Sequence, residues 1–231
     1  MFNVYYEKVL NADGIPILST SAVSDAALIE AARLLNGMIG DRNDLRTALI
    51  ENEASVGIIG ENENTTDIPE HRYLKLDSAT NWDERSRGFG GTSWAPITTT
   101  GEENLLCLSG DRYAGENIFI HEFAHTLMNL ALPSIPGGND IVQRVKDAYT
   151  NAVKNGLWQN TYAASNYEEY WAEGTQAFFH AQRFAASADG VHNEIATRST
   201  LVAYDPVLAG LVAEVMDENW SYDVSCGDTG Q

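Results

Sequence analysis

The chain has 231 residues, 44% of them apolar, with 14 basic and 33 acidic side chains and a formal charge of −19. That length carries one domain or two small lobes with a sizeable core, and such a charge repels nucleic acid and anionic membranes while favouring neutral or cationic partners. No run of about 18 apolar residues occurs, so no membrane-spanning helix is expected.

Asn3 to Leu10 and Gly14 to Leu18 read as strands flanking an Asn11-Ala-Asp13-Gly14 turn. Ser24 is a good N-cap for a helix over Asp25 to Met38, whose Ala27, Leu28, Ala31, Leu34 and Leu35 form an apolar stripe. A second helix is predicted over Asp44 to Asn52, and Ser55-Val-Gly-Ile-Ile59 reads as a short buried strand. From Asn62 to Glu103 the chain is rich in Asn, Asp, Gly, Pro and Thr, with Gly88-Phe-Gly-Gly91 at its centre. A stretch this long without clear structure is usually functional or disordered. Because it leads into an apolar strand at Leu105 and then a long apolar helix, it is expected to wall a substrate cleft. Trp82 and Trp94 are there to contact substrate or to fill core.

Gly115 and Glu116-Asn117 precede Ile118, Phe119, Ile120, Phe123, Ala124, Leu127, Met128, Leu130 and Ala131, a run too apolar for a solvated surface helix. Its polar stripe is His121, Glu122 and His125, and polar groups in an apolar setting need partners. Residues four apart share a helix face, so His121 and His125 can reach one metal ion. Neutral imidazole is a good zinc ligand. Glu122, about 100° round the helix from His121, flanks the metal without ligating it, in the position of a general base for a metal-activated water. The stretch therefore predicts a hydrolytic zinc site.

A catalytic zinc normally has three protein ligands and one open position. An extended metzincin pattern would put Gly at 128 and His at 131, where the chain has Met128 and Ala131, so that class is excluded. The remaining source is a carboxylate on another helix. After a loop over Pro133 to Asn139, Asp140 to Lys154 reads as an amphipathic helix ending at Gly156, and Asn166 as the N-cap of a helix reaching Phe184. On that helix Glu169 and Glu173 share a face while Glu168 points elsewhere, and two repelling carboxylates on one face make sense beside a cation. The rotation of the helix decides which of the two is the ligand. Gly174, mid-helix at a cost of about 1 kcal/mol relative to alanine, either permits close approach of the two metal-bearing helices or is incidental. His180 lies about three turns beyond Glu169, too far to ligate the same ion. Asp205-Pro206 opens a last helix to Met216.

Taken together, His121-Glu122-x-x-His125, Tyr162 seven residues before Glu169, and the string Glu169-Tyr-Trp-Ala-Glu173 resemble the gluzincin peptidases, most closely their anthrax lethal factor and Pro-Pro endopeptidase branch. The resemblance covers roughly residues 104 to 180. It implies an α+β, zincin-like fold: an N-terminal mixed sheet with backing and active-site helices, then a helical C-terminal subdomain. Residues 1–131 and 132–231 would be the two parts of a single catalytic domain, 1–231, with the ion in the cleft between them. It implies one catalytic zinc held by His121, His125 and Glu169, with Glu173 as the acid that holds a ligand histidine. Glu122 would be the general base, and Tyr162 would donate to the oxyanion of the tetrahedral intermediate. The expected activity is that of a zinc-dependent endopeptidase, a monomer acting on peptide or protein, without nucleic acid and without membrane insertion. The alternatives are a catalytically silent zinc-containing binding or toxin-like module, and a zinc hydrolase acting on small amides.

His71 is a candidate for lining the cleft and His192 for a second transition-state donor. The start, Met1-Phe-Asn-Val, lacks the basic region and apolar core of a leader. Scarce lysine, the acidic balance, the acceptors Asn64-Thr-Thr and Asn219-Trp-Ser, and the resemblance nevertheless point to a secreted protein in mature form. In that setting Cys107 and Cys226 are expected to form a disulfide pinning the C-terminal tail beside the active-site helix, with two buried thiols as the alternative.

Overall fold

The computed structural model describes residues 5–223. Strands β1 (Lys8–Ala12) and β2 (Ile15–Ser19) form an antiparallel hairpin. Its two-residue loop, Asp13-Gly14, has φ of 50° and 97°. Positive φ at both centres gives a loop whose twist matches the strands, and an Asp-Gly pair tolerates it. The first strand therefore runs two residues past the predicted Leu10, with the Asn11 side chain accepting the Gly14 N–H from within the strand.

Helices α1 (Asp25–Ile39) and α2 (Asn43–Glu51) carry the chain to β3 (Ser55–Ile59), which pairs in parallel with β2. The Ser24 side chain caps α1 by accepting from Ala26 N–H, and the predicted stripe is buried together with Met38 and Ile39. At roughly 1.5–3 kcal/mol for each large aliphatic side chain buried, that stripe is what holds the helix to the sheet.

The segment between residues 60 and 96 is more ordered than its composition predicts. It contains 3-10 turns at Thr65–Asp67 and Pro69–Leu76 and the short helix α3 (Trp82–Arg85). A buried guanidinium pins it. Arg87 meets Glu103 with Nε–Oε1 at 2.7 Å and Nη2–Oε2 at 2.8 Å, and donates to the carbonyls of Gly60 and Glu63. Such a fork is strong because both charged partners are satisfied at fixed geometry.

β4 (Ile97–Gly101) joins β3 in parallel, so the order among the described residues is β1-β2-β3-β4. The strand predicted at Leu105 is instead the short helix α4 (Glu102–Leu105). The true strand, Ile97-Thr-Thr-Thr-Gly101, is buried throughout. Threonine reads as polar, yet its β-branched stem suits a pleated surface, and this disguised the strand.

Helix α5 (Ile118–Thr126) follows and runs on as a π-helical turn over Leu127–Ala131. After it come α6 (Gly138–Lys154), α7 (Tyr167–Phe178), α8 (Arg198–Tyr204) and α9 (Pro206–Val215). α7 stops six residues short of the predicted Phe184. His180, with φ of 62°, lies in an exposed position past its end rather than on the same helix. α8, which periodicity did not reveal, is set by a capping box between Thr197 and Thr200. A Cβ on Gly174 would lie 2.3 Å from Leu208 Cδ2, so this glycine admits α9 and does not serve contact between α5 and α7. One apolar cluster runs from Ile17 and Val56 through Phe119 and Phe123 to Trp171 and Leu208. None of the described helices is long and apolar enough to cross a membrane.

Candidate metal centre

Two caps aim the chemistry. The Asn117 side chain accepts the Ile120 N–H at the start of α5, one turn before the His-Glu-x-x-His stretch. Asn166 accepts both the Glu168 and Glu169 N–H groups at 2.9 Å, which fixes Glu169 in the first turn of α7. There the helix dipole also favours a carboxylate. The helices are then tied together at depth, where the buried Trp171 indole donates to the Ala124 carbonyl at 3.0 Å.

Where α5 and α7 meet, three ligand atoms converge. His121 Nε2 is 3.0 Å from Glu169 Oε2 and 3.2 Å from His125 Nε2, and His125 Nε2 is 3.3 Å from Glu169 Oε2. Among the described residues this is the group of His, Cys, Asp and Glu able to hold a metal ion. Ligand bonds of about 2.0–2.1 Å in tetrahedral directions put neighbouring donor atoms about 3.3 Å apart, so the residues present fit a zinc ion. Glu173, the other carboxylate on the α7 face, lies with Oε1 3.5 Å from His121 Nδ1, on the far side of the ring.

The electrostatics ask for a cation as well. Burial works against charge on His121, yet the hydrogen bond with Glu169 and the nearby Glu122, Glu173 and Glu169 carboxylates raise it to about 10. Burial opposes charge on Glu169 too, but its bonds to His121 and His125 hold it well below the usual carboxylate range. Burial pushes Glu173 up to about 7 and raises Glu122. A proton on His121 is the site's own answer to three converging carboxylates, and a divalent cation answers the same demand.

The three atoms lie in a cleft of about 670 Å³ whose other wall is the 82–92 segment. Trp82, Arg85, Phe89 and Tyr113 line it, together with Tyr162 and Glu122, so the predicted cleft wall is where composition placed it. Glycine is required there. A Cβ on Gly90 would sit 2.4 Å from His125 Cβ, and one on Gly88 3.0 Å from Glu122 Cγ. The Gly90 N–H also points at the Glu122 carboxylate. On the cleft's open side Tyr162, 37% exposed, donates to Glu169 Oε1 at 3.2 Å.

No family model and no curated protein matches the sequence. A solved structure does. That of the Pro-Pro endopeptidase PPEP-2 from Paenibacillus alvei superposes with a TM-score of 0.55 at 18% identity, over 86% of this chain and 96% of that one. What is shared is the fold. The chain is thus α+β and zincin-like, a mixed sheet backed by helices.

The remaining histidines stand apart from the cleft. His71 is buried, with Nε2 2.9 Å from Thr99 Oγ1 and its ring against Phe89, so it backs a cleft residue instead of lining the cleft. His192 is buried with Nε2 3.1 Å from Glu116 Oε2 and Nδ1 3.1 Å from Arg183, which engages both ring nitrogens away from the metal ligands. Trp94 is 62% exposed and Trp82 lines the cleft. The Cys107–Cys226 pairing involves a residue outside the described ones.

Sequence reading missed Gln176, whose Oε1 is 2.8 Å from His121 Nδ1. The signal was present. Residues 169, 173 and 176 follow the spacing of one helix face, and a buried glutamine on a face of metal-site residues needs a polar partner.

Proposed function

We propose that the protein is a zinc-dependent endopeptidase, with His121, His125 and Glu169 as the ligands of one zinc ion. The observation that carries the reading is the mutual spacing of 3.0–3.3 Å among three ligand atoms in a cleft. When bound, zinc supplies a Lewis acid that polarises the scissile carbonyl and lowers the pKa of water toward about 7. Glu122, raised by burial and facing the cleft, takes a proton from the attacking water and delivers it to the leaving amine. Tyr162, also raised by burial and so kept as a phenol, turns from Glu169 to donate to the oxyanion. Glu173 closes the ring of acid behind His121.

The fold shared with a Pro-Pro endopeptidase supports peptide or protein as the substrate class. A silent zinc module would have no use for a base and a phenol lining one cleft, and both do so here. We read residues 1–131 and 132–231 as two parts of one catalytic domain, supported by the apolar cluster that runs through both. We place the protein in the secreted class, in keeping with the exposed acceptors Asn64 and Asn219.

The test is Glu122→Gln. Zinc content should stay at one per chain while kcat/KM on a peptide library falls by about 10²–10⁴, the range that general-base catalysis contributes. Product mapping by mass spectrometry, with a chelator control, identifies the bonds cut. Normal turnover in the variant would sink the assignment.

A further inference from the structure

The imidazole of His121 has two candidate protonation sites, and only a bare Nε2 can ligate the metal proposed above. Glu169 Oε2, 3.0 Å from Nε2, is a good acceptor and on its own would draw the ring proton to that nitrogen. Something must hold the proton on Nδ1 instead.

Gln176 lies on α7 and is fully buried. Its Nε2 is 3.1 Å from the backbone carbonyl of Asn117, and its Oε1 is 2.8 Å from His121 Nδ1. A backbone carbonyl only accepts, so the amide nitrogen must face Asn117 and the amide oxygen must face His121. That settles the orientation of the amide without reference to the histidine. The oxygen can only accept, so His121 Nδ1 carries a hydrogen, and in the neutral ring that a metal requires it is then Nε2 that is bare. Asn117 is itself fixed: its side chain caps α5 and its N–H donates to the Ala181 carbonyl beyond the end of α7. Glu173 is less well placed, since its Oε1 is 3.5 Å from the same nitrogen and its Oε2 accepts from Gln182.

We infer that Gln176 is the positioning residue of the metal centre: through the chain Asn117 C=O, Gln176 amide, His121 Nδ1–H, it fixes the tautomer that leaves His121 Nε2 to the ion. A neutral amide does this where a carboxylate would add another charge to a site already rich in acid. Losing such a partner typically costs 10–100-fold in metal affinity.

The inference rests on the zinc-centre reading, and its experiment separates the two. Zinc affinity is measured by chelator competition for the wild type, Gln176→Leu, Gln176→Glu and Glu173→Gln. Gln176→Leu should bind zinc about 10–100-fold more weakly. Gln176→Glu, which keeps an acceptor for Nδ1–H but loses the donor to the Asn117 carbonyl and adds a charge, should regain part of that loss, and Glu173→Gln should lose less than Gln176→Leu. Equal affinity in Gln176→Leu and wild type overturns the role of Gln176 alone, as does a larger loss in Glu173→Gln. A wild type that takes up no zinc overturns the centre and this inference with it. Because Gln176 is buried and a variant of it can fail to fold, the tautomer is also read in the wild type. In the long-range ¹H–¹⁵N spectrum of the zinc-loaded protein, His121 should show a protonated Nδ1 and a metal-shifted Nε2, and the reverse pattern refutes the inference.

Discussion

The cleft has two walls built on different principles. The helical wall, α5 and α7, is made of periodic apolar stripes interrupted by a few polar side chains, each with a partner a few ångströms away. The loop wall, from Thr65 to Thr92, buries few apolar side chains of its own, Ile68 and Leu74 among them. It is held by long-range polar pins and by glycines that let its backbone lie against His125 and Glu122. The helical wall carries the proposed ligands and base, whereas the loop wall carries Trp82, Arg85 and Phe89, which face the cleft. Under the proposed function the two walls divide the work: helix register would set the chemistry, and a segment whose fold depends on a handful of contacts would set the specificity.

The strongest way to break this division is Arg87→Met. It removes the guanidinium that meets the buried Glu103 carboxylate in a two-pronged bridge and leaves that charge uncompensated. Breaking one side of a buried pair costs about 3–5 kcal/mol. Denaturant midpoints should fall accordingly, and the double variant Arg87→Met/Glu103→Leu should recover a substantial part, since no lone charge is then buried. If the loop wall is independent of the chemistry, folded Arg87→Met keeps its zinc while KM rises. Loss of zinc in the folded variant would show that the two walls are one unit.

Tyr162→Phe tests the exposed edge beside the helical wall, in the turn that precedes α7. As an oxyanion donor, Tyr162 should contribute about 10²–10³ in kcat with KM and zinc content unchanged. The bond it makes to Glu169 offers a duller role, that of holding the ligand. A variant with weakened zinc binding and near-normal kcat at saturating metal would establish that role and remove the oxyanion assignment.

The walls also differ in how far the sequence revealed them. His121 and His125 could be placed together because residues four apart share a helix face, and Glu169 and Glu173 shared another, whereas the choice of Glu169 and the place of Tyr162 came from the resemblance to the gluzincin peptidases. The hairpin turn and the α1 stripe were legible for the same local reason. β4 was not, because three threonines conceal a buried strand. Nor was the order of the 60–96 segment, which depends on Arg87 finding Glu103 sixteen residues on and two carbonyls at Gly60 and Glu63. Such pairings leave no periodic trace. Gln176 falls between the cases: its position on the ligand face was visible, but its partner on another helix was not.

The smallest expected effect sharpens the contrast by its sign. Beneath Phe89 in the loop wall, His71 is lowered from 6.5 to about 4, chiefly by burial, with Glu70 opposing. Between those values the unfolded chain binds a proton that the folded protein refuses, so stability is complete above pH 6.5 and falls as pH drops toward 4. At pH 5.5 the loss is about 1 kcal/mol. In the helical wall Glu173, raised to about 7 by burial, acts in the other direction, because the folded state holds a proton there that an unfolded glutamate releases above about 4.5. His71→Phe removes only the first contribution. Urea midpoints of both proteins in chelator at pH 7 and pH 5.5 should show the wild type losing about 1 kcal/mol more than the variant on acidification. Parallel curves would mean that His71 is charged in the fold, and would leave the loop wall with no pH response distinct from that of the helices.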